Sequence, residues 1–493
     1  MASNLTDLSN VQGDILLNGL NKEVETFWFF TIADTRSFCQ KLRQVATEEI
    51  SHTQNVLDTR RNIKDFKTRE GNSPSGRVPT IGANISFSFT GLKKIASVTG
   101  LQTNTGDPIF ETGMKSAAVS GLQDPIKQGA NGQTPDWDSD WLNKQVDGVL
   151  LVAGNSAGLI KEKLDRITAL FGNSVRLAFK VDGKVRPGAE HGREHFGYMD
   201  GISQPVVGNL PNLTDEEKFV PPGQDIIPQG VILCGRPGDT NASARPAWML
   251  DGSFLCFRKL KQNVQDWDRF LVQSSNQLGT FADQLGARLI GRWKSGCPVN
   301  LQADFDDTNI GKDVMRNNLF EFDPPGLNSQ SQFTIQSGDR MVCPLGAHIR
   351  KTNPRGDQPG LGRESVNPHR ILRRGIPYGP EISENPNAER GLLFACYQSN
   401  LGQGFEFIQR LWANNDRFRF GGAGVDAVMG QTNDKPNVPM QGLFPQDASR
   451  ELNLPGINRF VVPRGGEYFF SPSLSALKGE LSNVQGRNIH PNL

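Results

Sequence analysis

The chain has 493 residues, 36% apolar and 21% charged, which suits two large domains or about three of roughly 150 residues each. Its 53 basic and 52 acidic residues leave a net charge of +1, which argues against a nucleic-acid binder working through bulk charge. No apolar run approaches the roughly 18 residues of a membrane span, and Met1-Ala-Ser-Asn-Leu-Thr has neither a basic nor an apolar leader region. The expectation is therefore no nucleic acid and no membrane as partners. A cytoplasmic location is favoured, although a processed, secreted chain would read the same way.

Residues 25–33 (ETFWFFTIA) read as a strand, after which Asp34 caps a helix with Phe38, Leu42 and Val45 on one stripe. Ile85, Phe87 and Phe89 alternate with polar residues as in a half-buried strand, and residues 148–153 (GVLLVA) form a buried one. A helix striped by Ile160, Leu164, Ile167 and Phe171 follows, then the alternating Val175, Leu177, Phe179 and Val181. The order β-α-β-β-α-β is the ferredoxin-like unit. A second pass reads a strand at 253–260, a helix through Val264, Trp267 and Leu271, a strand near 341–344, a clear strand at 391–398 (GLLFACYQ), a helix through Phe405, Ile408 and Trp412, and a short strand at 467–470. The expected fold class is α+β, two ferredoxin-like domains with antiparallel sheets, divided as 1–215 and 216–493. Residues 58–77 and 101–138 read as solvated insertions, and the Gly- and Pro-rich 183–229 as a long functional loop.

Six scattered cysteines without C-x-x-C spacing read as reduced, buried thiols rather than a disulfide framework or a zinc site. Four N-x-[ST] sequons, at Asn4, Asn84, Asn212 and Asn241, are unremarkable in an Asn-rich chain. Among six histidines His348 stands out, in Ala347-His348-Ile349-Arg350-Lys351 after an apolar run. Imidazole is a common axial ligand of haem iron, and Arg350, Lys351 and Arg355 are candidate partners for propionates; an exposed basic turn is the plainer reading. Gly197-Tyr198-Met199-Asp200-Gly201 puts two glycines around one acid, a tight turn projecting a carboxylate. Arg373-Arg374-Gly375-Ile376-Pro377-Tyr378-Gly379 precedes Leu392 and Phe394, which share one strand face and read alone as core packing.

A G-x-x-D-G box in mid-chain, then A-H-I-R-K, then R-x-G-I-P-Y-G resembles the dye-decolourising peroxidases, and Asn10-Val-Gln-Gly-Asp-Ile-Leu16 resembles the start of their longer, fungal-type and related bacterial members. The likeness spans nearly the whole chain. It implies a dimeric α+β barrel-like fold and one non-covalent haem b per chain, with hydrogen peroxide and bulky aromatic electron donors (dyes, phenolics) as substrates; a homo-oligomer is compatible with it. By position His348 matches the axial ligand, Asp200 the distal acid-base residue and Arg373 the distal arginine, with Arg374 its close competitor. Leu392 and Phe394 match the apolar distal wall, and Asp426 the carboxylate behind the ligand. Tyr378 and Trp412 match positions of surface electron transfer, the plainer reading of Trp412 being a helix core residue. His369 and Arg370 receive no role.

Those roles are physically coherent. Peroxide cleavage moves a proton from the inner to the outer oxygen, a task for an ionised carboxylate, while a permanent cation stabilises the departing oxyanion. An Asp base favours acidic pH. A carboxylate on the imidazole favours high-valent iron. Two other readings compete: a haem-carrying or haem-handling protein with weak peroxidase activity, and a non-catalytic scaffold of ferredoxin-like modules or an encapsulated cargo. Asp200 with Arg373 argues against the first, and the coincidence of three pocket motifs against the second.

Overall fold

The computed structural model describes residues 6–70, 77–129, 132–199, 201–322, 326–327, 333–334, 342–357, 362–419, 421–432, 438–440, 453–454 and 459–485. Nine strands form one antiparallel sheet: β1 Val24–Ile32, β2 Ile81–Phe87, β3 Gly148–Gly154, β4 Val175–Lys184, β5 Ser253–Gln262, β6 Leu372–Arg373, β7 Ile376–Tyr378, β8 Gly391–Gln398 and β9 Val461–Ser471. The N-terminal half runs β4-β1-β3-β2, with Phe27 opposite both Leu151 and Val181. The C-terminal half runs β9-β5-β8, with β6 and β7 both on the outer edge of β8 as one interrupted strand. Each half therefore has the fourth-first-third-second order of a ferredoxin-like unit, and the expected fold class holds.

The halves share one sheet. Only Phe470 of β9 pairs with Phe87 of β2. Beside that sparse seam, Gln12 donates to Ile85 O (2.9 Å) and Pro472 O (2.7 Å) and accepts from Ile85 N (2.8 Å), so one side chain supplies hydrogen bonds a ladder would otherwise make. At the far edges Gly183 packs on β7, where a Cβ would come within 2.3 Å of the Ile376 side chain, so the sheet curls towards closure. Its inner face is a common core: Phe27 lies 4.6 Å from Phe257 and Phe29 6.0 Å from Phe469, between ring centroids. Apolar side chains from both halves leave water together, at about 25 cal/mol per Å².

Alternation assigns the other face. On the N-terminal half it is covered by α1 (Thr35–Glu48), capped by Asp34, whose side chain accepts from Ser37 N; Phe38 of α1 stacks on Phe171 of α4 (Ala157–Phe171). Between them in sequence lie α2 (Thr53–Glu70) and α3 (Phe89–Thr99). On the C-terminal half α5 (Val264–Leu278) and α6 (Ala282–Ile290), with α7 (His348–Thr352) and α8 (Phe405–Phe407, continuing as a π-helical turn Ile408–Ala413), lie over the sheet and leave a cavity.

Four expectations need correction. Phe89 does not continue strand β2, which ends at Phe87; it opens α3 behind the Ser88 cap. Residues 342–344 form no strand, and Met341 lies outside the described residues; the second strand of the C-terminal half is β6–β7, whose few residues are interrupted by Gly375 and stiffened by Pro377, which an edge strand tolerates. The last strand starts at Val461, because a register shift between Pro463 and Gly465 disguises its alternation. Residues 101–138 are no solvated insertion throughout: Phe110, Met114 and Trp137 are buried. All six cysteines are free and buried, as expected. Among the described residues no helix is long and apolar enough to cross a membrane.

Candidate active site

The cavity between the C-terminal sheet face and its helices has an empty volume of about 1780 Å³ counted out to the mouth and including open solvent there. On its helical side stand His348, Ile349, Thr352, Ile408, Val428 and Met429; on its sheet side Arg373, Leu392, Phe394, Arg258 and Leu260.

His348 opens the short helix α7 and is held from behind. Its Nδ1 lies 2.8 Å from Asp426 Oδ2, and the Asp426 side chain is 0% exposed. The second carboxylate oxygen of Asp426 accepts from Val428 N (2.8 Å) and Met429 N (3.0 Å), so the backbone turn fixes the acid before the acid fixes the imidazole. The two segments approach closely at Gly346, where a Cβ would stand 3.1 Å from Val425 O and 3.2 Å from Ala423 O. With Nδ1 committed to the carboxylate, Nε2 is the nitrogen suited to ligate a metal.

Arg373 and Arg374 diverge because neighbours on a strand face opposite ways. Arg373 lines the cavity and donates from Nη2 to Ser203 O at 3.1 Å. Arg374 is buried on the other side, donating to Asp14 O (2.8 Å), Ile15 O (3.1 Å) and Leu17 O (2.8 Å) of the N-terminal segment. The same alternation turns Leu392 and Phe394 into the cavity while Leu393 and Ala395 are buried in the shared core.

Asp200 lies outside the described residues. Its neighbours Met199, Gly201, Ile202 and Ser203 line the cavity, and both glycines of the box have positive φ, +94° at Gly197 and +77° at Gly201, the backbone region glycine adopts without strain. Glu194 organises this loop by accepting from Phe196 N (2.8 Å) and Tyr198 N (2.9 Å). His195 ties it to β7 through Nε2 and Tyr378 O (2.9 Å); burial, with the Arg186 charge, pushes this imidazole down to about 4.

A feature missed in the sequence is the density of buried cations. Arg292, Arg355, Arg370 and Arg373 all line one flank. Burial lowers Arg292 and Arg370 to about 10 and Arg355 to about 9, with mutual repulsion adding to each, yet all remain charged at neutral pH. Arg292 and Arg355 share the Asn318 side-chain oxygen and otherwise donate to separate backbone carbonyls, whereas Arg370 has Asp225, a carboxylate also claimed by Arg363. Such a flank suits an anion. Arg370 had been noted without a role, and nothing in residues 290–296 advertised Arg292.

Other expectations fail on geometry. Arg350 does not face the cavity: it forms a two-pronged pair with Asp357 (2.7 and 2.8 Å) and donates to Cys343 O, because two residues along a helix turn it about 200° from His348. Lys351 is likewise turned away, to Asn415 O and Phe418 O, and only Arg355 of that trio reaches the cavity. Trp412 and Tyr378 are not surface residues; they are 5% and 9% exposed. Trp412 stacks on Phe418 at 5.1 Å and meets the His369 ring edge-on at 5.3 Å, and His369 lines the cavity. Tyr378 donates to Glu389 at 3.0 Å beneath the Lys259 ammonium.

Comparison with known proteins agrees with this layout. The family described as DyP dimeric alpha+beta barrel domain matches residues 10–187, and the one described as Dyp-type peroxidase, C-terminal matches residues 236–420. A dye-decolorizing peroxidase of Mycetinis scorodonius is 38% identical over 97% of this chain and 88% of its own length. The solved structure of an ancestral D-type dye decolorizing peroxidase superposes with a TM-score of 0.81 at 41% identity, covering 97% of this chain and 99% of that one. A dye-decolorizing peroxidase solved in complex with 2,6-dimethoxyphenol is 35% identical, with a TM-score of 0.79 over 97% of this chain and 100% of the other.

Proposed function

The chain belongs to the dye-decolourising peroxidase family, and on that premise we propose that its cavity holds one non-covalent haem b, whose iron His348 would ligate. It is a peroxidase that oxidises dyes and phenolics with hydrogen peroxide, and its family is haem-dependent. The observation that carries the assignment is the His348–Asp426 pair on one wall of a largely apolar cavity with a flank of buried arginines. The donor set fits the group: an imidazole with Nδ1 occupied, aliphatic and aromatic walls for a flat macrocycle, and Arg292, Arg355 and Arg370 for two propionates.

Haem held there would supply the redox chemistry, reduction of peroxide and one-electron oxidation of donors. The chain's own residues do the rest. Asp200 takes the proton from the inner peroxide oxygen and returns it on the outer one, as a positioned base and then acid. Arg373 stabilises the negative charge growing on that outer oxygen. Leu392 and Phe394 exclude bulky molecules and loose water from the distal side. A carboxylate base is inherently more acidic than an imidazole one and keeps working into acid, so turnover favours low pH. Residues 1–215 contribute the acid-base loop and 216–493 the ligand and the arginine.

Bulky donors then react away from the iron. His369, Trp412 and Phe418 form a contiguous aromatic train from the cavity wall, and Trp412 within it, with Tyr378 beside Glu389, carries electrons inward.

The test is spectroscopic. His348→Ala abolishes the Soret band or moves it to that of unligated haem; a wild-type spectrum and haem content would refute the assignment. Asp200→Asn and Arg373→Leu retain haem but slow the reaction with peroxide, by about 10²–10⁴-fold for the acid-base residue.

A further inference from the structure

One step along the sheet from the cavity wall lies a row of oxidisable side chains that this mechanism does not use. Phe394 of β8 stands opposite Arg258 of β5, and both line the cavity. The next pair on the same face is Cys396 opposite Cys256, and Tyr468 of β9 lies opposite Cys256 on its other side. Successive same-face rows are about 7 Å apart. All three side chains are 0% exposed. The Tyr468 hydroxyl donates to Glu406 Oε1 at 2.7 Å, and Glu406 Oε2 accepts from Arg410 at 3.1 Å. Phe405, beside Glu406, lines the cavity with its ring 5.9 Å from that of Phe394.

The chemistry of the row follows from its burial. Desolvation raises the Cys256 thiol and the Tyr468 phenol well above their ordinary values, so both are protonated at neutral pH. A protonated, enclosed thiol is a poor nucleophile, and direct attack on peroxide is disfavoured. Removal of an electron is the route left. A phenol hydrogen-bonded to a carboxylate can lose electron and proton together.

We propose that Tyr468, Cys256 and Cys396 form an internal electron reserve, which consumes oxidising equivalents left in the pocket when no donor arrives. It rests on the peroxidase reading above. Tyr468 gives an electron to the pocket while its hydroxyl proton passes to Glu406. The phenoxyl takes a hydrogen atom from Cys256, restoring the tyrosine. The Cys256 sulfur bonds to that of Cys396, which loses its proton, and the second electron leaves for the pocket. In sum, one hydrogen peroxide and two thiols become two waters and one disulfide. Directly opposed residues of an antiparallel pair have Cα atoms about 4.5–5.5 Å apart, inside the roughly 4.4–6.8 Å that a disulfide spans.

The experiment treats haem-loaded enzyme with peroxide in the absence of donor, then denatures, alkylates and weighs it. Two of the six thiols are expected to escape alkylation, and a peptide joined through Cys256 and Cys396 to appear. A phenolic donor suppresses it, and haem-free protein does not form it. Tyr468→Phe slows the bond and removes a tyrosyl signal from the electron paramagnetic resonance spectrum; Cys396→Ser leaves that signal but prolongs it. Six alkylatable thiols after peroxide, in a preparation that turns over dye, would overturn the reserve and leave the peroxidase reading intact. A disulfide forming equally without haem would also overturn it. Protein that takes up no haem overturns both.

Discussion

Asp426→Asn separates what holds the imidazole from what merely surrounds it. The wild-type carboxylate accepts from His348 with one oxygen at 2.8 Å and from the amides of Val428 and Met429 with the other. An asparagine cannot meet all three donors. If its carbonyl oxygen keeps the two amides, its NH₂ faces His348, making Nδ1 an acceptor and putting the ring proton on Nε2, the nitrogen needed for iron. If it flips, NH₂ meets two N–H groups in a site with no exposure. With Nε2 given to iron, the first arrangement sets the Nδ1 proton against an NH₂ and the second leaves two amides without an acceptor, so at least one buried group goes unsatisfied, about 1–3 kcal/mol, in line with the 10–100-fold losses usual for partners of metal-binding histidines. Titrating haem into apo-protein by Soret absorbance should show that drop in affinity. Losing the carboxylate also weakens the preference for ferric over ferrous iron; one to two decades of it raises the potential by about 60–120 mV in a spectroelectrochemical titration. Wild-type affinity together with an unmoved potential would refute the reasoning, and with it the claim that this pair positions the ligand.

Arg373→Leu should slow the reaction with peroxide by about 10²–10³-fold in stopped flow, the range for a lost transition-state donor; Arg374→Leu should instead lower the melting temperature, since its bonds go to residues 14–17. His195 titrates at about 4 in the folded protein against an ordinary 6.5, so the unfolded chain takes up its proton first as pH falls. Its contribution is complete above pH 6.5 and is lost on acidification through pH 4, on the order of 3 kcal/mol, which urea melts at several pH values of wild type and His195→Gln would measure. Trp412→Ser combined with Tyr378→Phe should depress turnover of bulky dyes in steady-state assays and leave the peroxide step unchanged; equal loss of both would mean that the pocket was damaged.

The sequence disclosed those parts whose physics is local. Strands such as β3 and β8 declare themselves by apolar runs between turn residues, and α1 by its stripe and cap. His348, Arg373, Leu392 and Phe394 were legible from motifs, and they meet in one cavity. What escaped depends on direction or on distance along the chain. Arg350 is two residues from His348 yet faces Asp357, a matter of helical phase that its basic surroundings concealed. Strand β6–β7 hid because Gly375 and Pro377 break the alternation by which a strand is recognised. Arg292 and Arg370 belong to segments far apart in sequence, so their shared flank exists only after folding. The stripe through Phe405, Ile408 and Trp412 already allowed a buried Trp412, but its ring partners Phe407, Phe418 and His369 are not ones a stripe predicts.

The N-terminal segment links two places that are distant in the chain. Gln12 stitches β2 to the residue after β9, and a few residues on, the carbonyls of Asp14, Ile15 and Leu17 hold Arg374, the immediate neighbour of Arg373. That stretch is thus a clasp: it closes the joint between the two halves and, in the same few residues, anchors the strand that carries Arg373 into the cavity. A change near residue 12 touches nothing in the cavity, yet it loosens the frame against which Arg373 is aimed. Damage to the first turns of this chain should therefore resemble an active-site defect more than a frayed end.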